Sequence, residues 1–303
     1  MRIYEVTLTT AGRQVRLDGK TVRPASRYFG GFQVVLFSPE DLAVARGAPA
    51  DRRAFLDRAV FQRAPEYLAE AQDYDKVLRN RNAVLRAAQG RGAPGGPAGR
   101  DTYGLLAVYD QKLAELGARR MHRRARLVAE IAPRFRAAFA AIGRTEHQAD
   151  ARYASAWLER SAQLGEEPAL AERLAAALMA ARPADLARGV TTVGPHRDDL
   201  ELTLGDRAAA AFASQGQLRA LILAWKIAEL ELLTETHGDA PILLLDDVSS
   251  ELDPQRNEYL FDFLRTKKTQ CVVTTTHPRH VLASDERVDY DVTSGVLTRQ
   301  NAE

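Results

Sequence analysis

Pro241-Ile242-Leu243-Leu244-Leu245 is a continuous apolar run that leads directly into Asp246-Asp247. Such a run reads as a strand buried on both faces of a parallel sheet, which delivers its carboxylates to the C-terminal sheet edge where α/β proteins bind ligands. There Asp246 can hold Mg²⁺ directly or through water, and Asp247 can orient and deprotonate an attacking water. The same pair could instead cap the next helix, and the run alone does not choose between these roles. Ser249-Ser250-Glu251-Leu252-Asp253-Pro254 follows at once, and Cys271-Val272-Val273-Thr274-Thr275-Thr276 reads as a second buried strand ending at His277. With a crossover helix from Pro254 to Arg265, the two strands run parallel and His277 shares the sheet edge of Asp247. Taken alone, a His at a strand end is more often an ordinary surface residue.

Upstream, Ser214-Gln215-Gly216-Gln217 opens a helix that carries Leu218, Leu221, Ile222 and Trp225 on one side and Leu223, Ile227 and Leu230 on the other. A helix apolar on both sides is largely buried. Ser214 and Gln217 have the spacing of a capping box, which explains both of them but not Gly216. A Gly at that point lets backbone N–H groups approach an anion, and the helix N-terminus adds partial positive charge. A second charged feature is the run Arg119, Arg120, Arg123, Arg124, Arg126, Arg134 and Arg136, in which Glu130 is the only acid. It reads either as a solvated helix face or as a surface for a phosphate backbone.

The elements that must hold these groups fall into three stretches. The first fifty residues are β-rich. Arg13 to Leu17 and Lys20 to Arg23 flank the hairpin signal Asp18-Gly19, and Val34 to Phe37 is a strand passing through Ser38-Pro39-Glu40 into a helix. From Asp51 to Pro183 the composition turns to Ala, Arg, Leu and Glu with helical periodicity. A dense Gly/Pro break at Gly90 to Gly99 suggests two long antiparallel helices joined at a tip, with further helical packing through Trp157 and Leu170 to Met179. That break is no phosphate-binding loop, because it follows a helix and no Lys succeeds its final Gly. From Gly194 the β and α/β character returns. Leu200, Leu202 and Leu204 alternate with polar residues, Gly205-Asp206 turns the chain, and Ala208 to Phe212 forms the return strand.

Bulk properties narrow the class. The chain has 303 residues, 46% hydrophobic and 27% charged, as in globular proteins able to bury a core unaided. Cys271 is the only cysteine, which excludes an internal disulfide framework and multi-thiolate zinc sites and fits a reducing, cytoplasmic setting. No apolar run approaches the ~20 residues of a membrane span. The net charge of +2 is too mild to argue for nucleic acid by itself.

The Ser-Gln-Gly-Gln helix start, the Leu-Leu-Leu-Asp-Asp run and the Ser-Glu-Leu-Asp turn occur in the order of an ABC ATPase head, which the chain resembles. Phe37-Ser38-Pro39-Glu40-Asp41-Leu42, Gly47-Ala48-Pro49 with Arg52-Arg53-Ala54-Phe55-Leu56-Asp57, Arg81-Asn82, and Gly194-Pro195-His196-Arg197-Asp198-Asp199-Leu200 are similar to the RecF family of recombination mediators. The resemblance covers essentially the whole chain. It implies an α/β fold: an incomplete ABC/RecF-type head, a mixed sheet with a β-lobe in 1–50 and 190–303, plus an all-helical arm in 51–189. It also implies a cytoplasmic protein that binds double-stranded DNA, dimerises with ATP and Mg²⁺, and helps a RecR-type partner load recombinase at single-strand gaps. By the same resemblance Asp246 serves Mg²⁺, Asp247 and His277 serve catalysis, and Ser214, Gln215, Gly216, Gln217 and Asp253 contact nucleotide held by the opposite subunit. Arg119, Arg120, Arg123, Arg124 and Arg126 are the candidate DNA contacts. The family's Gly-x-x-x-x-Gly-Lys-[Ser/Thr] loop has no match in these residues, so ATP binding in cis is expected to fail. Three accounts stand open: a RecF-like ATPase whose start is misplaced or gene incomplete, a short DNA-binding or partner-binding module without hydrolysis, and a head kept only as a structural remnant.

Overall fold

The computed structural model describes residues 3–10, 12–22, 33–89, 97–143, 145–158, 164–248, 252–283 and 287–300. Arg23, the start of the Gly/Pro break from Gly90 to Gly96, and Ser249-Ser250-Glu251 lie outside the described residues. The α/β class expected from the sequence is the one observed.

Strands β1 (Tyr4–Thr9), β2 (Gly12–Leu17) and β3 (Lys20–Thr21) form an antiparallel sheet. Asp18 and Gly19 turn it at φ of 50° and 75°, the left-handed pair that a two-residue hairpin demands. β4 (Val34–Phe37) then passes into α1 (Pro39–Val44), with Pro39 opening the helix. β8 (Ile242–Asp246) lies between β4 and β9 (Cys271–Thr274), parallel to both, with Leu245 opposite Phe37 and Asp246 opposite Thr274. One face of this sheet, carrying Val35, Phe37, Leu243 and Leu245, is buried. On the other face Leu36 and Val272 are 42% and 53% exposed, so β8 is not the doubly covered strand that its unbroken apolar run suggests. An apolar run reports side-chain type, and among the described residues only one side of the sheet has a partner layer.

That layer is α7 (Gln215–His237), whose Leu221, Leu223, Ala224, Trp225 and Ala228 are fully buried within the same core as the sheet. α8 (Pro254–Lys267) is the crossover between β8 and β9. It adds Leu260, Phe261 and Leu264 to that core.

α2 (Pro49–Arg63), α3 (Tyr67–Ala88) and α4 (Pro97–Gly143) form the helical stretch. α3 and α4 are antiparallel, since Arg81 meets Asp110 at one end while Arg123 meets Glu70 at the other. α4 runs for 47 residues and serves two cores. Its Leu113, Ala114, Ala118 and Met121 pack on Tyr74 and on Leu170, Leu174 and Leu178 of α5 (Glu167–Arg188), whereas Leu127, Ile131, Phe135 and Phe139 join the main core. Phe135 and Phe55 meet Trp225 at ring-centroid distances of 6.1 and 5.5 Å.

Two elements depart from the sequence reading. β5 (Ala149–Ala154) interrupts the stretch 51–189 that reads as all-helical, and it pairs antiparallel with β6 (Asp199–Leu204). Its buried positions are Ala149 and Ala151, so the alternation is written in a residue that serves helices equally well. The return after Gly205 is only the two residues of β7 (Arg207–Ala208), followed by the short helix α6 (Ala209–Phe212), because three consecutive alanines favour helix over strand. An exposed hairpin of β10 (Tyr290–Thr293) and β11 (Val296–Arg299) follows β9. Among the described residues no helix is long and apolar enough to cross a membrane.

Candidate functional site

The parallel register of β8 and β9 sets the acidic edge. Asp246 is exposed and accepts a hydrogen bond from the Thr274 hydroxyl at 2.6 Å. The Asp247 N–H donates to the Thr274 carbonyl at 3.1 Å. Asp247 itself sits at φ of 50°, a left-handed conformation that Asp tolerates better than branched residues, so the chain breaks away from the sheet there. Thr274 thereby ties the ends of both strands together. His277 stands three residues past the end of β9, exposed, with its N–H on the Thr275 hydroxyl at 3.0 Å and its ring 5.4 Å from that of His280. It leaves the sheet at the same C-terminal edge as Asp246 and Asp247.

β4 ends at that edge too. Glu40, from the Ser38-Pro39-Glu40 helix start, has its carboxyl lowered by a hydrogen bond from the Ser38 side chain and feels the charge of Asp246 in the opposite sense. The signal for a third acid was the Ser-Pro-Glu that directly follows a parallel strand.

At the start of α7 the capping box is present in both directions. The Ser214 N–H donates to Gln217 Oε1 at 2.8 Å and the Gln217 N–H to Ser214 Oγ at 3.2 Å. Arg46 holds the preceding Ala213 carbonyl at 2.7 Å, so the turn is fixed from outside the helix as well. Gln215 is exposed and Gly216 half-buried. Asp253 caps α8 by accepting the Arg256 N–H at 3.1 Å.

The arginine run is not one surface. Arg120 and Arg124 are 8% and 1% exposed and both pair with Asp57, at 2.8 and 2.7 Å. Arg120 also reaches Asp75 at 2.8 Å, and Arg124 the Pro195 carbonyl at 2.7 Å. Burial alone would raise the Asp57 carboxyl, yet the two guanidiniums and the Tyr67 hydroxyl bring it down to about 2. Arg120 and Arg124 are therefore interior structural charges, and the expectation that they contact DNA is corrected. Their helix spacing was visible in the sequence, but the acids that claim them come from α2 and α3. Arg119, Arg123 and Arg126 remain nearer the surface, paired with Glu167 at 3.2 Å, Glu70 at 2.7 Å and Glu130 at 3.0 Å. Together with Arg63 and His122 they line a cavity of about 590 Å³.

The Gly194 to Leu200 stretch is a knot between the helices and β6. Gly194 sits at φ of 126° with the Tyr74 hydroxyl 2.8 Å from where a Cβ would stand, so only glycine fits. His196 shares a hydrogen bond with that hydroxyl at 2.8 Å and another with the Thr191 carbonyl at 3.0 Å, and burial pushes it down to about 4. Asp198 is fully buried and accepts from Tyr153 and Ser155, and burial pushes its carboxyl up to about 6. Asp199 takes a two-pronged bond from Arg52 at 2.8 and 2.6 Å. The Arg197 guanidinium donates to the Thr191 carbonyl at 3.3 Å. Arg81, completely buried, similarly binds Asp110 and Asp185 at 2.6 Å each, while Asn82 accepts the Thr191 N–H at 2.8 Å.

No protein-family model matches the chain. It is 47% identical over 304 residues to the DNA replication and repair protein RecF of Myxococcus xanthus, covering 99% of this chain and 77% of that protein. To the RecF protein of Anaeromyxobacter dehalogenans it is 43% identical over 305 residues, covering 98% and 78%. Its fold is similar to that of the recombination mediator protein RecF-ATPrS in the RecFOR pathway, with a TM-score of 0.84, 27% identity and coverage of 99% and 76%.

Proposed function

This chain belongs to the RecF family of DNA replication and repair proteins, and from that premise we propose that it works as a recombination mediator: an ATP-dependent dimer on double-stranded DNA that, with a RecR-type partner, helps load recombinase at single-strand gaps. The observation that supports this reading best is the convergence of Asp246, Asp247 and His277 on one edge of a parallel sheet. Ligands of α/β sheets bind at such edges.

The residues present fit a magnesium nucleotide. Carboxylate oxygens are the donors that Mg²⁺ prefers, and Asp246 and Asp247 supply them where β8 ends. Mg²⁺ held by Asp246 would neutralise phosphate charge. Asp247 positions and deprotonates the attacking water, and His277 hydrogen-bonds the terminal phosphate. Ser214, Gln215, Gly216 and Gln217 offer the first turn of a 23-residue helix, whose N–H groups and dipole favour an anion, to the partner subunit's nucleotide, with Asp253 beside them. Arg119, Arg123 and Arg126 form the reduced DNA face, exchanging their carboxylate partners for phosphates.

The deciding experiment uses the full-length protein. Asp247→Asn is expected to lower ATP turnover by roughly 10²- to 10⁴-fold, the usual weight of a general base, while ATP-driven dimers still form. Unchanged turnover in that variant would remove Asp247 from the reaction. Duplex binding with no ATP-linked dimerisation in the parent protein would favour a catalytically silent binding module instead. Arg119→Ala and Arg126→Ala should each reduce the salt dependence of duplex binding by about one phosphate contact, and an unchanged slope would move the DNA face elsewhere.

A further inference from the structure

Arg256 stands in the first turn of α8, three residues after the cap Asp253. Its guanidinium folds back on Asp253 instead of extending into water, and its side chain is only 19% exposed. Its Nε is buried and has no hydrogen-bond partner among the described residues. The same Nη1 that meets Asp253 also lies over Gly216. A Cβ added there would stand 3.2 Å from Nη1, 3.8 Å from Nη2 and 3.9 Å from Cζ, and no other group comes as near. The backbone of Gly216 is not left-handed, so its conformation does not demand glycine. What crowds the position is the Arg256 side chain, which would have to shift by a few tenths of an ångström to admit a methyl group. Immobilising an arginine costs side-chain entropy, and this one is held without satisfying all of its donors.

We propose that Arg256 is a positioning residue that clasps the Ser214–Gln217 turn to the Asp253 turn, so that both segments meet a partner subunit as one rigid body. Without the clasp, the start of α7 and the start of α8 lose a side chain that touches both. With it, a displacement of Asp253 on subunit docking is carried to Gly216 by one flat guanidinium in contact with both. Gly216 is glycine, on this account, to seat that guanidinium. The roles of the two turns rest on the dimer function proposed above.

The test uses the full-length protein and the variants Arg256→Ala, Arg256→Lys, Gly216→Ala and the double variant Gly216→Ala/Arg256→Ala. In nucleotide-free protein, hydrogen exchange at the Gln217 and Leu218 amides should be several-fold faster in Arg256→Ala; unchanged exchange overturns the clasp. ATP-driven dimerisation in Arg256→Ala should require about ten-fold more protein than in the parent. Arg256→Lys keeps the charge opposite Asp253 but loses the planar fork, so it should behave like Arg256→Ala. Full rescue by lysine would mean that only charge matters and would sink the proposal. Gly216→Ala should weaken dimerisation alone and add nothing in the Arg256→Ala background, where the new methyl has room. Additive losses would return Gly216 to direct approach of an anion and overturn the inference. If the parent protein forms no dimer with ATP, the proposed function fails. The exchange rates then judge the clasp alone: acceleration in Arg256→Ala sustains it, and its absence rejects it.

Discussion

The junction around Asp57 and the sheet edge at Asp246 use charge in opposite ways. At the junction four acids each meet a base, and the buried Asp198 is met by two hydroxyls. Asp57 holds Arg120 and Arg124, Asp199 holds Arg52, and Asp110 and Asp185 hold Arg81, all in partly or wholly buried surroundings. At the edge, Asp246 faces water and is met by a hydroxyl, with Glu40 as a like-charged neighbour. Paired charges in the interior lock helices in register, whereas acids gathered at an open edge stand ready for a cation. Charge density along the sequence does not separate the two cases; the partner does.

Breaking the junction should cost most. Asp57→Ala strands two guanidiniums in the interior, and the expected loss is ~3–5 kcal/mol in chemical denaturation. A loss below about 1 kcal/mol would show that the cluster is solvated and that the contrast with the edge is false.

The next effect is on pH dependence. His196, held down to about 4 from 6.5, is neutral in the fold where the unfolded chain binds a proton, so its contribution to stability grows as pH rises from about 4 to 6.5. Asp198, pushed up to about 6 from 3.8, keeps a proton that the unfolded chain has released, so stability falls across about pH 4 to 6. The two slopes oppose. Asp198→Asn should uncover the His196 slope, and denaturation midpoints should rise more steeply with pH between 4 and 6.5 than in the parent. Parallel profiles would refute the assignment.

Smaller effects belong to the putting-in-place of single turns. Ser214→Ala removes one direction of the capping box and should cost ~1 kcal/mol, read as a shift in the denaturation midpoint. Asp246→Asn, at the exposed edge, should change stability by no more than about 0.5 kcal/mol while weakening Mg²⁺-dependent nucleotide binding. A large loss of stability there would make Asp246 a structural acid like those of the junction.

Much of the head was legible in one dimension because its signals are local. The capping residues of α7 lie three apart, Asp18-Gly19 turns its own hairpin, and the apolar runs of β8 and β9 are separated by a helix of ordinary length. The junction was illegible for the complementary reason. Arg124 and Asp57 are 67 residues apart and Arg81 and Asp185 104 apart, and a run of arginines at helical spacing looks the same whether acids or solvent face it. β5 was hidden by composition, since Ala149 and Ala151 alternate correctly yet carry too little side chain to favour a strand. The covered and open faces of the central sheet could not be told apart because Leu243 and Leu244 are the same residue type on opposite sides.

Pro133 lies inside α4, where it supplies no N–H to the carbonyl four residues earlier. From Pro133 to Pro97 the helix extends by roughly 54 Å at 1.5 Å per residue. A rotation of about 10° at the proline would therefore sweep the far end through roughly 9 Å, by the same rise per residue. The segment beyond Pro133 toward Gly143 is bedded against Trp225 through Phe135, in the core that carries the acidic sheet. α4 thus has the proportions of a beam seated in two cores, so any such rotation would have to carry α3 and α5 with it.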